Sequence, residues 1–477
     1  MPSLDPDDWS DMRALGHRMI DDLFDRLAAI RERPVWRPIP PEARAAIRDE
    51  GLPVHGAGPQ AAYRDFTRSV LPYELGNTHP RFMGWVHGGG NAVGMLAELL
   101  AAGLNANLGG RDHAPIEVER QVIRWSAEIL GLPPDSAGLL VTGSSMANLV
   151  AVLTARHRAA GPGVREHGVG GHPLVGYASE AVHGCVPRAF DIAGLGTAAL
   201  RRIGTDADGR LDPHALRAAI AADRAAGLQP FLVVGTAGGV DTGATDDLAG
   251  LAEIAAGAGL WFHVDGAFGA FARLSPSLRP LVRGIERADS VALDFHKWAQ
   301  VPYDAGCFVV RDPGCQLGAF RQNLAYLTGV DRGVGGNTPW PADLGPDLSR
   351  GFRALKVWMT LKSFGTERLG EVVDECCAIA RHLGALVEAD ERFELMVPVR
   401  LNIVCFRLRT SHPDPDWVNG ELVKDLHEAG IAVPSTTMIG GRRAIRAAIV
   451  NHRTTRADVE ALLGGLRHLS AAYHQFG

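Results

Sequence analysis

Lysine is nearly missing from this chain: among 48 basic residues it stands only at Lys297, Lys356, Lys362 and Lys424. Arginine cannot replace it in imine chemistry, because the guanidinium stays protonated. Any Schiff base must therefore form at one of those four positions. An excess of positive charge is also missing. The net charge is −6 and no Lys/Arg run occurs, so nucleic acid is not an expected partner. No continuous apolar stretch reaches the roughly eighteen residues of a membrane span. Short runs such as Ala97 to Leu104 fit burial within a domain. The opening MPSLDPDDWSDMRALGHRMIDDLF is acidic and amphipathic and lacks the apolar centre of a signal peptide. Six scattered cysteines, with no CxxC pair, suit reduced thiols in a cytoplasmic protein. His167 and His172 lie in a Gly-rich stretch without further ligands at metal-binding spacing, so no metal site is expected.

What is present describes a soluble globular protein. Of 477 residues, 46% are hydrophobic and 21% charged, which suits one large domain with smaller pieces. Met12, Leu15, Met19, Leu23, Leu27 and Ile30 recur at helical spacing, and the proline-rich Arg33 to Pro41 ends that pattern. Residues 1–76 therefore read as a helical arm at an interface. From about Asn77 the chain alternates helical and strand-like segments. Short apolar strands are expected at 138–142, 174–177, 231–234, 261–264, 290–293 and 307–310, with helices at 116–130, 146–157, 213–222 and 247–258 among them. Such alternation predicts an α/β domain over 77–352, its mostly parallel sheet covered on both faces. Residues 353–477 hold a long helix, strands near 403–408 and 444–450, and a helix near 419–429, a smaller α+β domain.

Two strand ends carry the chemistry. LWFHVDGAFGA (260–270) places Asp265 at the carboxyl end of an apolar strand, the edge where open α/β sheets bind ligands. By itself this Asp equally fits a helix cap. ADSVALDFHKWAQ (288–300) then ends in His296 and Lys297 between aromatic residues. A lysine among apolar neighbours is expected to have a lowered pKa and to act as a nucleophile for imine formation. Lys356, Lys362 and Lys424 read as ordinary solvated or structural lysines. A pyridoxal cofactor needs a lysine for its aldehyde, an acid for its ring nitrogen and an anion hole for its phosphate. The third appears at VTGSSMANL, where Gly143, Ser144 and Ser145 lie between a strand and a helix. His183, in YASEAVHGC, stands where an imidazole could stack over the ring, though a lone histidine is more often structural.

Taken together, HVDGAFG at 263–269, HKW at 296–298, HPRFMGWVHGGG at 79–90 and AAIVNHRTT at 447–455 resemble the group II pyridoxal-phosphate decarboxylases. That family acts on aromatic amino acids, glutamate and diaminobutyrate, and the likeness covers almost the whole chain. It implies the aspartate-aminotransferase-like type I fold, an intertwined homodimer and pyridoxal 5'-phosphate as cofactor. By position, Lys297 matches the Schiff-base lysine and Asp265 the partner of the pyridine nitrogen. His183 matches the stacking histidine and Ala267 the small residue beneath the ring. Ser144, Ser145 and His296 match the phosphate-binding set, and Ser349 a residue that reaches the phosphate from the neighbouring subunit. Trp85, His87 and Gly88 fall where the family lines its substrate pocket. The implied reaction is decarboxylation of an L-amino acid, aromatic or otherwise bulky, to the amine.

The chain departs from that pattern in places. Aromatic-amino-acid decarboxylases carry a loop tyrosine implicated in protonating the carbanion, and here Trp340 or Pro341 takes its place. Neither donates a proton as a phenol does. Tyr326 is an alternative donor. Relatives with phenylalanine at that place let oxygen intercept the carbanion and release an aldehyde, so an oxidative outcome stays open. Gly239 replaces a threonine common near the cofactor imine, and Met146 a frequent glutamate. A non-catalytic protein that kept the fold is the reading from another class.

Overall fold

The computed structural model describes residues 2–322, 330 and 332–473. It resolves into two compact units. One comprises Met1–Trp85, Leu383–Met396 and Cys405–Gly477; the other comprises Val86–His382 and Val397–Val404.

In the first unit a helix spans Trp9–Ala28, started by Asp8, whose side chain accepts from the Ser10 amide. Of its apolar face only Leu15 is buried, while Trp9, Met12 and Phe24 remain exposed. The two-residue strand Phe82–Met83 (β1) pairs in parallel with a strand from the end of the chain, Phe82 opposite Val433.

The second unit is built on seven strands: Ala137–Val141 (β2), Leu174–Ser179 (β3), Leu200–Ile203 (β4), Gln229–Thr236 (β5), Trp261–Asp265 (β6), Ser290–Asp294 (β7) and Gly306–Val310 (β8). Their order is β2-β8-β7-β6-β5-β3-β4. Strands β4, β3, β5, β6 and β7 run parallel, and β8 runs antiparallel to both of its neighbours. Every residue of β3, β6, β7 and β8 is buried, so both faces of the sheet are covered. The helix Ser144–Ala160 packs along β5 to β8, and Ala114–Leu130 against β2 and β8. The expected α/β architecture with a mostly parallel sheet is therefore present.

The sequence reading did not anticipate β4. It is a four-residue edge strand, LRRI, whose two arginines hide the apolar signal. Charge on an edge strand protects it from pairing with another chain, and Arg201 is tied to Asp223 at 3.1 Å.

Near the end of the chain, Phe393–Leu395 (β9), Ile403–Leu408 (β10), Val433–Ile439 (β11) and Arg442–Ala448 (β12) join β1 in a small sheet of order β1-β11-β12-β10-β9. The long helix Arg353–Glu388 breaks at Gly365, whose φ of 72° is open to glycine at little cost. Among the described residues no helix is long and apolar enough to cross a membrane, and no three His, Cys, Asp or Glu side chains gather as a metal site. All six cysteines are free thiols.

Candidate active site

The register of the central strands brings two carboxylates to one sheet edge. β6 ends in Asp265 and β7 in Asp294, with Asp265 opposite Ala292, and both acids are buried. After β7 the chain turns tightly, the Lys297 amide donating to the Asp294 carbonyl at 3.1 Å. The turn folds the lysine back so that its Nζ lies 2.9 Å from Asp294 Oδ2. The next anchor comes from the helix that follows β2. Ser144 donates its amide to Asp294 Oδ1 at 2.6 Å and its hydroxyl to Asp294 Oδ2 at 2.7 Å. Asp294 thus sits at a helix N-terminus, where the free amides and the dipole favour an anion. This approach needs glycine at 306, since a Cβ there would lie 2.4 Å from the backbone of Gly143.

Asp294 was not singled out in the sequence, and it corrects the expectation for Lys297. Burial does pull the ammonium down, but the charge and hydrogen bond of Asp294, with Asp265 behind it, outweigh burial. The lysine pKa is raised, not lowered. Burial also raises Asp265, against the opposing pull of Lys297 and His183. Burial would raise Asp294 too, but Lys297 and His296 hold it below the ordinary value. His296 is buried with its Nε2 3.7 Å from Asp294 Oδ2, and desolvation pushes its pKa down to about 4. Its Nδ1 accepts from the Ala305 amide at 3.0 Å, so it stays a neutral imidazole at pH 7.

His183 stands exposed just before the helix Cys185–Ile192, its Nδ1 accepting from the Cys185 amide at 3.2 Å. Beneath it runs a buried polar chain. The Cys185 thiol lies 3.9 Å from Asp265 Oδ2 and accepts from Asn148 Nδ2 at 3.4 Å. Asn148 Oδ1 pairs with His263 Nε2 at 2.8 Å, and His263 Nδ1 meets the Ser290 hydroxyl at 2.9 Å. Every second residue of β6, beginning at Trp261, takes part: Trp261 also bonds Ser290, His263 follows, and Asp265 ends the strand. Ala267 is half-buried and donates its amide to Asp265 Oδ1 at 3.2 Å.

The His87–Gly90 segment lies directly against the lysine turn. A Cβ on Gly88 would fall 2.4 Å from the carbonyl oxygens of both His296 and Lys297, so only glycine allows this approach. Gly89 donates to Gln300 Oε1 at 3.1 Å, and Asn91 Nδ2 to the Gln300 carbonyl at 2.8 Å. Tyr303, six residues beyond the lysine, joins this group through its hydroxyl, 3.0 Å from His87 Nδ1. Sequence reading passed over it, although it lies within the same HKWAQVPYD segment.

Trp85 belongs to the first unit, exposed, its carbonyl accepting from Arg446 at 3.0 Å. Ser145 is exposed at its helix start, and Ser349 is exposed beside the buried Arg350–Glu119 pair. Trp340 is buried, with its indole N–H donated to the Gly336 carbonyl at 2.8 Å and its ring under Arg111 at 4.6 Å. Pro341 is buried behind it. Gly239 has space for a side chain, since a Cβ there meets nothing closer than 3.4 Å. Met146 packs on the hydrophobic core. Tyr326 lies outside the described residues. A cavity of about 760 Å³ lined by Trp125, Arg273, Arg279, Lys362, Glu371 and Asp374 includes none of the candidate residues.

The set collected at this edge is one primary amine, a buried carboxylate beside it and a helix start. That donor set fits pyridoxal phosphate. Residues 41–409 match the model of the pyridoxal-dependent decarboxylase conserved domain. The chain belongs to this family. It is a pyridoxal-phosphate-dependent amino-acid decarboxylase, a carboxy-lyase, as the resemblance implied. The aromatic-L-amino-acid decarboxylase of Bacillus atrophaeus is 32% identical over 96% of this chain and 95% of its own. The structure of Oryza sativa TDC with PLP and tryptamine superposes with a TM-score of 0.91 at 28% identity, covering 99% of this chain and 100% of that one. Rhodiola rosea 4-hydroxyphenylacetaldehyde synthase is similar too, with a TM-score of 0.87 and 26% identity over 98% and 99% of the two chains. The decarboxylase fold therefore also carries an aldehyde-forming relative.

Proposed function

We propose that this decarboxylase acts on an aromatic L-amino acid and releases the corresponding amine and CO2. The observation that carries the reading is Lys297 at one sheet edge with the buried Asp294 and Asp265, 2.9 Å separating the lysine from Asp294. The aromatic preference rests on the Bacillus atrophaeus decarboxylase and on the tryptamine bound by the rice protein.

Lys297 holds the cofactor aldehyde, and Asp294 keeps its amine in place between turns of the reaction. Asp265 sets a negative charge beside the ring nitrogen and so favours its protonated form. Bound there, pyridoxal phosphate supplies an electron sink for the pair left at Cα when CO2 departs. His183 covers one face and Ala267 leaves room on the other. Gly143, Ser144, Ser145 and His296 form the phosphate end, completed by Ser349 from a second copy of the chain. His87 and Gly88 line the substrate side. The working form in this reading is a cytoplasmic homodimer, with residues 1–76 as its arm, 77–352 as the cofactor domain and 353–477 as the closing domain.

The test is incubation of the cofactor-loaded protein in air with a panel of L-amino acids and mass spectrometry of the products. Tryptamine, tyramine or phenethylamine, each the substrate less CO2, is the expected result. Amines only from acidic or basic substrates sink the aromatic reading. An aldehyde one carbon shorter, formed only with oxygen, replaces it with the oxidative one.

A further inference from the structure

Asp265 works as an anion in the reading above, yet burial raises its pKa and so favours the neutral acid. The polar chain behind it opposes burial, because its donors can be ordered in one direction only. Asn148 fixes that order. Its Nδ2 donates to the Ser144 carbonyl at 2.9 Å, which turns its Oδ1 toward His263 Nε2 at 2.8 Å. An amide oxygen only accepts, so Nε2 carries the imidazole proton. Burial lowers the His263 pKa to about 3, which keeps the ring neutral and leaves Nδ1 bare. Nδ1 therefore accepts from the Ser290 hydroxyl at 2.9 Å, and that oxygen accepts from Trp261 Nε1 at 2.8 Å. The Ser290 carbonyl, 3.1 Å from Nδ1, could be met only by an imidazolium or by the tautomer that Asn148 excludes. On its other side Asn148 Nδ2 reaches the Cys185 sulfur at 3.4 Å. Burial first, and then the charge of Asp265, raise the pKa of the Cys185 thiol, so it keeps its hydrogen. The acceptor facing it is Asp265 Oδ2 at 3.9 Å.

We propose that Cys185 is a positioning residue for Asp265, its S–H the last donor of a one-way chain that ends on the carboxylate. The chain runs from Trp261 through Ser290, His263 and Asn148 to Cys185, all of them buried. The proposal rests on the reading of Asp265 as partner of the ring nitrogen. A thiol is a weak donor, but its acceptor here carries a full charge, and each donor in a buried chain polarises the next. Hydrogen bonds to the charged form of an acid favour that form. The Ala267 amide holds Oδ1 at 3.2 Å and the thiol faces Oδ2, so the protein orients both oxygens and leaves further acceptor capacity on each. The thiol can also be tested apart from His183. The Cys185 amide, not its side chain, donates to His183 Nδ1 at 3.2 Å, and a change of side chain keeps that bond.

The experiment compares wild type, Cys185→Ala, Cys185→Ser and Asp265→Asn. Infrared spectra of cofactor-free protein read the S–H stretching region, where the band lost in Cys185→Ala belongs to Cys185. That band is expected below the frequency of an unbonded thiol, and to rise toward it in Asp265→Asn, because a neutral amide accepts more weakly than a carboxylate. The difference spectrum between wild type and Asp265→Asn reads the same band without the alanine variant. A band that stays in place overturns the proposal and makes the thiol a packing group. In cofactor-free protein labelled with ¹⁵N-histidine, the residue whose signals vanish in His263→Asn is expected to carry its proton on Nε2 at pH 7. A proton on Nδ1 reverses the chain and overturns it. The proteins are then loaded with pyridoxal phosphate labelled with ¹⁵N in its ring and given the amino acid turned over fastest in the panel above. Cys185→Ala is expected to lose the ring-nitrogen proton at lower pH than wild type, and to lose about 3–10-fold in kcat with KM unchanged. Cys185→Ser, which keeps a donor, is expected to recover part of both. An alanine variant that matches wild type, or a serine variant no better than alanine, overturns the proposal. Failure of the underlying reading is seen separately, in an Asp265→Asn variant that keeps the ring-nitrogen proton and the kcat of wild type.

Discussion

Two lysines of the second unit pair with a carboxylate, and the contrast between them shows what makes one of them reactive. Lys356 is 3% exposed and reaches outward to Glu98, whose side chain is 45% exposed. Lys297 is 20% exposed, and its partner Asp294 is 2% exposed. Glu98 lies on a helix and keeps access to water. Asp294 ends a central strand, accepts two bonds from Ser144 and is approached by His296 as well. At Lys356 the amine is sealed and the acid is wet. At Lys297 the acid is sealed and the amine keeps an opening. Low local dielectric strengthens the attraction in both places, but only the second geometry leaves the amine accessible.

The largest way to break this contrast is to remove the amines. Lys297→Ala is expected to abolish amine formation and the absorbance of cofactor joined to lysine. Lys356→Met is expected to retain both, and equal losses from the two would erase the distinction. Next in size is Asp265→Asn, with kcat expected to fall on the order of 10²–10³-fold while the protein still binds cofactor. A kcat within threefold of wild type would remove Asp265 from the proposed chemistry. Asp294→Asn sharpens the comparison further. Without that carboxylate, burial is opposed chiefly by Asp265, and the lysine pKa is expected to drop, read from the pH dependence of reductive methylation in cofactor-free protein. No change would assign the raised lysine to some other group.

An acid-stability slope distinguishes the buried polar chain below the site. Desolvation lowers the pKa of His263 to about 3 and of His296 to about 4. Unfolded histidine binds its proton near pH 6.5, so below that pH the unfolded chain carries more protons than the folded one. Stability is therefore expected to fall as pH drops from about 6.5, down to about 4 for His296 and about 3 for His263, by up to about 1.4 kcal/mol per pH unit for each histidine. Urea unfolding at pH 7, 5.5 and 4.5 reads the slope. In His263→Asn it is expected to become shallower, and an unchanged slope would remove His263 from the balance.

Much of this arrangement was legible before any coordinates. The strand ending in Asp294 is an apolar run, the one ending in Asp265 is broken only by His263, and such runs announce strands buried on both faces. Lysine scarcity singled out Lys297, and the HVDGAFG and HKW segments carried the family. The four-residue β4 was hidden because its arginines serve an edge. Asp294 and Tyr303 were passed over for another reason. A carboxylate at a strand end and a phenol in a turn look ordinary in sequence. Their meaning comes from a helix start 150 residues away and from a histidine 216 residues away. Local pattern encodes neither distance. The error about the lysine pKa has the same origin, since apolar sequence neighbours say nothing of an acid that the turn folds back onto the amine.

The smallest expected effect tests the other side of the comparison. Breaking the Lys356–Glu98 pair should depend on which partner is removed. Glu98→Gln leaves an ammonium buried without its carboxylate, and desolvating an unpaired charge is expensive. Lys356→Met replaces that ammonium with an apolar side chain of similar length and leaves Glu98 exposed enough to be hydrated. Glu98→Gln is therefore expected to cost about 1–3 kcal/mol in urea unfolding, and Lys356→Met less than about 1 kcal/mol. Equal costs would show that the pair acts as a surface ion pair and that burial of Lys356 carries no penalty of its own. The reverse order would show that the methylenes and amine of Lys356 stabilise the core beyond what Met supplies. Either result would leave Lys297 as it is, because its carboxylate is the buried partner and Asp294→Asn strands the charge there in the same way that Glu98→Gln does here.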